Sequence, residues 1–409
     1  MSSLLYPFGK PEVSGARRLV KADGVRIWDD QGNEYIDAMA SLWYCQVGHG
    51  RREMIDAITD QLNTLDSYNI FPPWSNEPAE HAADEIARVS PFDHPRVFLC
   101  CSGSESIDTA FKLARTIAQL RGEPERQILI RRTRGYHGVN VGGTSLQGIE
   151  AYREGWGDLL PHVIEVDPDD IESAARIFSE HGDRVAAVVT EPVQGAGGVF
   201  PPMDGYLEGL RKLCDESGAL LIFDEVITGF GRTGEWFAAQ TYGVQPDLIS
   251  FAKGVTSGYQ PLGGVIVDRH VCAVMEADPD YMFRHGYTYS GHPAAAAAAV
   301  ANIQILESED LARRATRIGQ RFQAGLEALR TDGEIAEVRG VGAVWAARLP
   351  DGTDVSRTVA IRDKMLDLGV VARPVNDAIV YCPPLVIEDA DIDVCIDAFA
   401  EAITLVPAS

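Results

Sequence analysis

The sequence predicts an α/β protein, with a large unit built on a mostly parallel central sheet and a smaller α+β unit. From about residue 95 to residue 310, short unbroken apolar runs alternate with segments of helical period. After Glu307 this alternation gives way to a long amphipathic helix, a few short strands and a last helix. Strands buried on both faces are continuously apolar, so the first pattern predicts a parallel sheet covered by helices.

Six strands are predicted in the large unit, and helices are predicted between them at 107–120 and 204–217. The alanine-rich run at 293–300 is interpreted as a buried helix, because it is far shorter than a membrane span. The predicted strands span residues 96–101, 126–132, 185–191, 219–226, 248–252 and 263–267.

The smaller unit begins with apolar side chains that recur every three or four positions from Leu311 to Leu329, as in an amphipathic helix. The first fifty residues, which contain a strand-turn-strand pattern at 25–36, are too few to fold alone and are expected to join this unit. The later predicted elements are strand-like 337–349, a helix near 358–368, strands around Val371 and Val380, and a helix at 389–405. We therefore predict an N-terminal segment at 1–48, a large domain at 49–308 and a small domain at 309–409.

The charge and composition exclude several classes of function. The formal charge is −24, from 36 basic and 60 acidic side chains, and so acidic a surface repels the phosphates of nucleic acid. No apolar run reaches the ~20 residues of a membrane span, and Met1–Lys10 lacks a signal-peptide pattern. The seven cysteines show no C-x-x-C spacing, so we expect no metal site. A cytoplasmic enzyme of small molecules is the expectation.

Two segments place ionisable side chains at the ends of predicted strands, where ligands bind in open α/β sheets. Lys253 follows the strand at 248–252, and a surface lysine is the alternative interpretation. Asp224 and Glu225 lie at the end of the strand at 219–226, and adjacent strand residues point to opposite faces, so only one of the two can face a given ligand. A carboxylate beside a pyridine nitrogen keeps that nitrogen protonated, whereas a carboxylate that caps the next turn is a structural alternative.

Three further segments are weak signals individually. Ser102, Gly103 and Ser104 stand between a strand and a helix, where free backbone N–H groups and the helix dipole favour a phosphate, although a capping box has the same pattern. Tyr136, which lies between glycines with His137, could stack on a flat ring. The hydroxyl- and glycine-rich loop around Thr288, before the alanine-rich helix, would also suit a phosphate.

Six motifs in order resemble the class III aminotransferases of pyridoxal 5'-phosphate (PLP) fold type I. The motifs are "CSGSESIDTAFKLAR", "GYHG", "EPVQGAGG", "LIFDEVITGFGRTG", "SFAKGVTSGYQPLGGV" and "HGYTYSGHPAAAAAA". The likeness extends roughly from Asp23 to Pro384. It implies a PLP-dependent transaminase with a ping-pong mechanism, in which a lysine that holds the cofactor also moves the substrate's α-proton.

The resemblance implies a role for each motif residue. Lys253 resembles the Schiff-base lysine, and Asp224 the partner of the pyridine nitrogen. Thr288 is similar to a phosphate ligand donated by a neighbouring subunit, which implies a homodimer with shared active sites, or a tetramer of two such dimers. The other residues that resemble cofactor contacts are Ser102, Gly103 and Ser104 for the phosphate, Tyr136, His137 and Val226 for the ring, and Glu191 and Gln194 near the ring.

Two residues resemble substrate contacts. Trp43 is similar to an aromatic that bounds the pocket of ω-aminotransferases, and Arg373 to a mobile arginine that binds substrate carboxylates. Together they imply transfer from an ω-amino acid or amine to a 2-oxo acid such as pyruvate. A diaminononanoate aminotransferase is the nearest alternative, and a racemase or aminomutase of the same fold is another. Tyr6 and Phe8 are candidates for the pocket wall.

Overall fold

The computed structural model describes residues 3–10, 15–350 and 352–407. The strands are β1 (Leu19–Asp23), β2 (Arg26–Asp29), β3 (Glu34–Asp37), β4 (Arg96–Cys100), β5 (Ile128–Arg132), β6 (Val163–Val166), β7 (Val185–Thr190), β8 (Leu220–Asp224), β9 (Leu248–Phe251), β10 (Gly263–Val267), β11 (Glu337–Val341), β12 (Val344–Arg348), β13 (Val370–Val371), β14 (Arg373–Val375) and β15 (Ala378–Tyr381).

The helices alternate with these strands through most of the chain. They are α1 (Ala40–Trp43), α2 (Arg52–Thr64), α3 (Glu77–Val89), α4 (Gly103–Leu120), α5 (Val141–Ser145), α6 (Ile171–His181), α7 (Tyr206–Ser217), α8 (Ala238–Tyr242), α9 (Arg269–Glu276), α10 (Pro293–Ser308), α11 (Leu311–Thr331), α12 (Val355–Asp367) and α13 (Asp389–Leu405).

A seven-stranded sheet forms the centre of the molecule, in the order β4-β10-β9-β8-β7-β5-β6. Strands β6, β5, β7, β8 and β9 pair in parallel, and β10 pairs antiparallel with both β9 and β4. Strands β5, β7, β8, β9 and β10 are buried at every residue, which explains their unbroken apolar sequences. The predicted α/β fold with a mostly parallel central sheet is confirmed.

The six strands predicted in this sheet all form, within two residues of the predicted ends. The prediction missed β6, the strand at the sheet edge. This strand is four residues long and carries the charged Glu165, and three of its residues are partly or fully exposed, so it has no continuous apolar run. The helix predicted at 107–120 begins earlier, at Gly103, because Ser102 caps it through the N–H of Glu105.

Two further sheets have four strands each. The N-terminal sheet has the order β1-β2-β3-β13, and its β3 pairs in parallel with β13 near the C-terminus. The other sheet has the order β11-β12-β15-β14. The strand-like run at 337–349 is a hairpin of β11 and β12 that turns at Gly342, whose φ of 51° suits glycine. The domain boundaries at 48 and 308 stay a prediction.

The rest of the C-terminal prediction agrees closely with the observed elements. Helices α11 and α13 pack against each other, and α13 spans the residues predicted for it. In the described ranges, no helix is both long enough and apolar enough to cross a membrane.

Candidate active site

A cavity of about 430 Å³ opens at the carboxyl edge of the central sheet. The segments that follow β4, β5, β7, β8 and β9 all contribute to its wall, as expected for a ligand site in an open α/β sheet. We call the part formed by these segments the cavity floor. The floor residues discussed below are Gly103, Ser104, Tyr136, His137, Glu191, Asp224, Val226 and Lys253, and all of them line the cavity.

Lys253 lies in a single 3-10 turn immediately after β9 and lines the cavity. Its φ of 46° is in the left-handed region, a strained conformation for a residue with a Cβ, and such strain is typical of functional sites. Burial lowers the pKa of its amine from 10.5 to about 8, although the carboxylates of Asp224 and Glu191 oppose the shift. A large fraction of the amine is therefore neutral, and so nucleophilic, near pH 8.

The two adjacent carboxylates at the end of β8 point in opposite directions. Asp224 lines the cavity, whereas Glu225 is fully buried and does not line it. The Glu225 carboxylate accepts hydrogen bonds from the N–H groups of Ala238 and Ala239, at 2.5 and 2.9 Å, and from the Thr228 hydroxyl at 2.9 Å. Asp224 is thus available to a ligand, and Glu225 holds the start of α8.

His137 fixes the orientation of Asp224. Its Nδ1 lies 2.8 Å from Asp224 Oδ2, and the other oxygen, Oδ1, accepts from the N–H of Val226 at 3.1 Å. The His137 ring is 1% exposed, and its Nε2 has no hydrogen-bond partner among the residues that the structure describes. A buried polar atom without a partner in a cavity wall is suited to a bound group.

The start of α4 forms a cradle at one end of the cavity. Gly103 and Ser104 line it, and Ser104 Oγ accepts from the N–H of Val139 at 3.0 Å. A Cβ on Gly103 would lie 3.0 Å from the Val226 side chain, so glycine allows this close approach. The free N–H groups and the dipole of this 18-residue helix favour an anion here. Ser102, by contrast, caps the helix and is not part of the cavity wall.

Tyr136 and Glu191 are connected across the floor. The Tyr136 N–H donates to Glu191 Oε1 at 2.8 Å, and the Gly195 N–H donates to Oε2 at 3.0 Å. Burial raises the pKa of Glu191 to about 7. Gln194 is not in the cavity wall, and its side-chain amide donates to the Thr133 carbonyl at 2.7 Å.

Thr288 lies apart from the cavity within the single chain. It is exposed, in the turn between Tyr287 and Tyr289 that leads to α10, and it does not line the cavity. The same loop is anchored to α4, because the Tyr287 hydroxyl donates to the Glu105 carbonyl at 3.2 Å. The structure therefore brings together every predicted cofactor residue except Ser102, Gln194 and Thr288.

The remaining part of the wall, which we call the cavity rim, comes from segments near the two ends of the chain and from the loop that carries Tyr152. It includes Phe8, Trp43, Tyr152 and Arg373. Of the N-terminal candidates, Phe8 lines the cavity and Tyr6 does not. The Phe8 ring packs edge-on against Tyr152 with 5.2 Å between ring centroids.

Trp43 is held in the rim by a strained turn. Ala40, Ser41 and Trp43 all have positive φ, of 46°, 60° and 69°. Asp37, which is 1% exposed, holds this turn: its carboxylate accepts from the Met39 N–H at 3.1 Å and from the Ser41 N–H at 2.7 Å. The Nε2 atom of His49 lies 2.9 Å from the same carboxylate. Such fully bonded buried carboxylates can maintain otherwise unfavourable backbone geometry.

Arg373 is the charged group of the rim. It begins β14, is half-buried, and makes no ion pair or side-chain hydrogen bond with any other residue in the described ranges. A guanidinium placed in a cavity without a protein partner is suited to bind a carboxylate in two-point fashion.

Sequence reasoning missed Tyr152 and Asp37. Tyr152 lies in a 3-10 turn on the loop between α5 and β6, outside any motif, and its ring is edge-on to Tyr136 at 6.1 Å. Asp37 ends β3, and an aspartate at a strand end is the only signal that the sequence offers for it.

The floor residues fit a phosphorylated pyridine cofactor. The helix start at Gly103 suits a phosphate, Asp224 suits a protonated ring nitrogen, and Lys253 supplies an amine of lowered pKa. No cluster of three or more histidine, cysteine or acidic side chains that could hold a metal ion occurs in the described part of the chain.

Comparisons with known proteins agree with this chemistry. The family profile "Aminotransferase class-III" matches residues 10–403. The chain is 38% identical to a putrescine–pyruvate aminotransferase of Pseudomonas aeruginosa, covering 95% of this chain and 92% of that protein. It is 36% identical to a β-alanine–pyruvate aminotransferase of the same species, again covering 95% and 92%. A crystal structure of a PLP-bound amine transaminase from an uncultivated Pseudomonas species superimposes with a TM-score of 0.94 at 32% identity, covering 100% and 99% of the two chains.

Proposed function

We propose that this chain, which belongs to the class III aminotransferase family, moves the amino group of an ω-amino acid or primary amine to a 2-oxo acid such as pyruvate. The chain is a transaminase, and the substrate pair is the part proposed. The observation that carries the proposal is a single cavity lined both by Lys253 and Asp224 of the floor and by Arg373 of the rim, which has no partner among the described residues. The relatives named for putrescine, β-alanine and pyruvate support it.

Class III aminotransferases use PLP, and we assign its site to the cavity floor. When bound, PLP supplies an electron sink that stabilises negative charge at the substrate's α-carbon. Gly103 and Ser104 would hold the phosphate, and Tyr136 and Val226 would lie on the two faces of the ring. Their position at the floor, beside the start of α4, supports this assignment.

Two floor residues would handle the protons of the reaction. Lys253 would bind the cofactor covalently through Nζ and, once displaced by the incoming amine, would take the α-proton and return it as general base and acid. The lowered pKa of its amine, about 8, matches that task near neutral pH. Asp224, oriented by His137 at 2.8 Å, would keep a proton on the ring nitrogen.

Two rim residues would bind the substrate. Arg373 would bind the carboxylate of the 2-oxo acid and of an ω-amino acid, and it would leave the centre of the cavity for an uncharged amine. Trp43, which lines the cavity, would bound the space beside the reacting carbon. This boundary would be rigid, because hydrogen bonds to Asp37 hold the turn that carries Trp43. In each half-reaction a different substrate would occupy the same site, as a ping-pong mechanism requires.

We also propose a homodimer with shared active sites. Thr288 is exposed and outside the cavity of its own chain, so its hydroxyl is available to a second copy. A strip of exposed aromatic side chains supports an interface in this region. It contains Tyr68, Phe71, Trp74 and Tyr289, which are 48–66% exposed.

Alanine formation from pyruvate tests the substrate assignment. Purified protein with PLP should form alanine when supplied with β-alanine or a simple primary amine, and it should form none without an amine. If no alanine forms with either class of donor, the proposed substrate pair is contradicted. A racemase would change the configuration of an amino acid without any need for pyruvate, so it would be recognised in the same assay.

A further inference from the structure

A second cavity of about 300 Å³ adjoins the rim. We call it the side chamber, and its wall includes Arg134, Ile149, Arg373 and Asn376 together with Gly148 and Gly197. Three residues line both cavities, namely Tyr152, Ala196 and Arg373. The side chamber is therefore next to the main cavity on the side where Arg373 lies.

Two glycines in the chamber wall allow the backbone to pack closely beside it. A Cβ on Gly148 would collide with the backbone oxygen of Arg132, and a Cβ on Gly197 with that of Arg134. The backbone is therefore packed closely on two sides of the chamber, and its shape cannot adjust by small side-chain movements there. A preformed space of this kind favours binding, because little has to be ordered when a ligand enters.

The lining of the side chamber is cationic. Among its described residues are two arginines, Arg134 and Arg373, and neither aspartate nor glutamate. Arg134 is fixed in place: its Nη2 lies 2.7 and 2.8 Å from the two oxygens of Asp169, and its Nε donates to Gln194 at 3.3 Å. Its guanidinium also stacks on Phe200 at 4.0 Å from the ring centroid.

Fixing Arg134 in this way leaves one donor group unused. Its Nη1 makes no hydrogen bond with any residue in the described ranges, and the same is true of the Asn376 side-chain amide. Both residues line the chamber, and together with Arg373 they supply three side chains that can donate to an anion. Asp169 offsets part of the Arg134 charge but does not line the chamber. A distal ammonium would therefore meet two guanidinium groups and no carboxylate among the described residues of the chamber wall.

The cofactor site leaves the substrate little other room. If PLP lies between Tyr136 and Val226, the remaining space of the main cavity extends toward the rim and the side chamber. We propose that the side chamber is a substrate subsite, which binds the distal carboxylate of ω-amino acids too long to end at Arg373. This inference rests on the proposed function, and it assigns long ω-amino acids, rather than diamines of equal length, as the preferred donors.

A variant that fills the side chamber tests the subsite. Ile149 lines the chamber and does not line the main cavity, so Ile149→Trp should block the chamber alone. With pyruvate as acceptor, kcat/KM for 6-aminohexanoate and 8-aminooctanoate should fall about tenfold or more, as expected when hydrogen bonds to a charged group are lost. The kcat/KM for β-alanine should not change. Ile149→Val, which leaves the chamber open, is the matched control.

A second variant reverses the charge preference without filling space. Asn376 is exposed and has a φ of 51°, which aspartate tolerates, so Asn376→Asp should fold normally. It should raise KM for 8-aminooctanoate and lower KM for 1,8-diaminooctane, because the new carboxylate repels one distal group and attracts the other.

Three results would overturn the subsite. One is a chain-length profile that neither variant changes, and another is a wild-type enzyme that uses long ω-amino acids no better than equally long diamines. The third is an Ile149→Trp enzyme that loses activity with simple amines but keeps it with long ω-amino acids. That result would show that the chamber holds the Arg373 side chain when it moves out of the main cavity, and not the substrate. Failure of the wild type with every donor, including β-alanine, would instead refute the proposed function.

Discussion

The floor and the rim of the active-site cavity are built by different parts of the chain and held in different ways. The floor comes from segments that directly follow strands of the central sheet, and each carboxylate oxygen of Asp224 and Glu191 has one hydrogen-bond partner that orients it. The rim comes from segments near the two termini and from a loop, and it holds Arg373 without a partner in the described ranges. The hydrogen-bonded floor therefore determines the reaction type. The rim, where Arg373 has no partner in the described ranges, can accept substrates with or without a carboxylate.

Removing the Asp224 charge should give the largest loss of the mutations considered. Asp224→Asn should lower kcat by about 10²–10³-fold with every donor, because the protonated ring nitrogen loses its preorganised counter-charge. The neighbouring Glu225→Gln is the matched control, since that carboxylate is turned away from the cavity. It should retain the catalytic rate and lower only thermal stability. Equal losses in kcat for the two variants would contradict the assignment of Asp224 to the floor.

Removing the rim guanidinium should affect one class of substrate. Arg373→Ala should raise KM for β-alanine and pyruvate about 10- to 100-fold, because charge-assisted hydrogen bonds to the carboxylate are lost. The KM of a simple primary amine should stay within a factor of two or so of the wild-type value. Steady-state kinetics with both donor classes checks this, and a uniform rise in KM would argue that Arg373 merely supports the fold.

A smaller effect is expected at the anchor of the Trp43 turn. Asp37→Asn replaces one of two acceptor oxygens and should destabilise the protein by roughly 1–3 kcal/mol. It should raise KM a few-fold for bulky amines while leaving the absorption of bound PLP unchanged, because the floor does not depend on this turn. Asp30→Asn, at an exposed ion pair with Arg18, is the control. Loss of PLP binding in the Asp37 variant would show that floor and rim are not separable.

The sequence predicted the floor better than the rim, for a physical reason. Floor residues occupy strand ends within short motifs, where backbone geometry is set locally and by the adjacent sheet. Tyr152 lies in a loop, and its place in the rim depends on how the loop between α5 and β6 folds back, which no local pattern encodes. The role of Asp37 likewise depends on His49 and on a turn with three positive φ values.

The same reasoning applies within the motifs. The resemblance implies that Ser102 binds the phosphate, and the structure shows its side chain capping α4, which is the alternative that the capping-box pattern left open. Alternation within a strand shows that one of Asp224 and Glu225 faces the ligand and not which one. The family resemblance favours Asp224, and Asp224 is the one that lines the cavity. The edge strand β6 escaped prediction because its four residues carry a charge and are not continuously buried.

The most direct test of the account is the visible absorption of the purified protein with PLP. We predict an absorption band of lysine-bound cofactor that disappears when β-alanine is added and returns when pyruvate is added. Lys253→Ala should lack this band, whereas Glu225→Gln should retain both the band and its reversible loss. A wild-type protein that shows no such band in the presence of PLP, or a Lys253→Ala protein that shows the full reversible cycle, would contradict the central claim that Lys253 carries the chemistry.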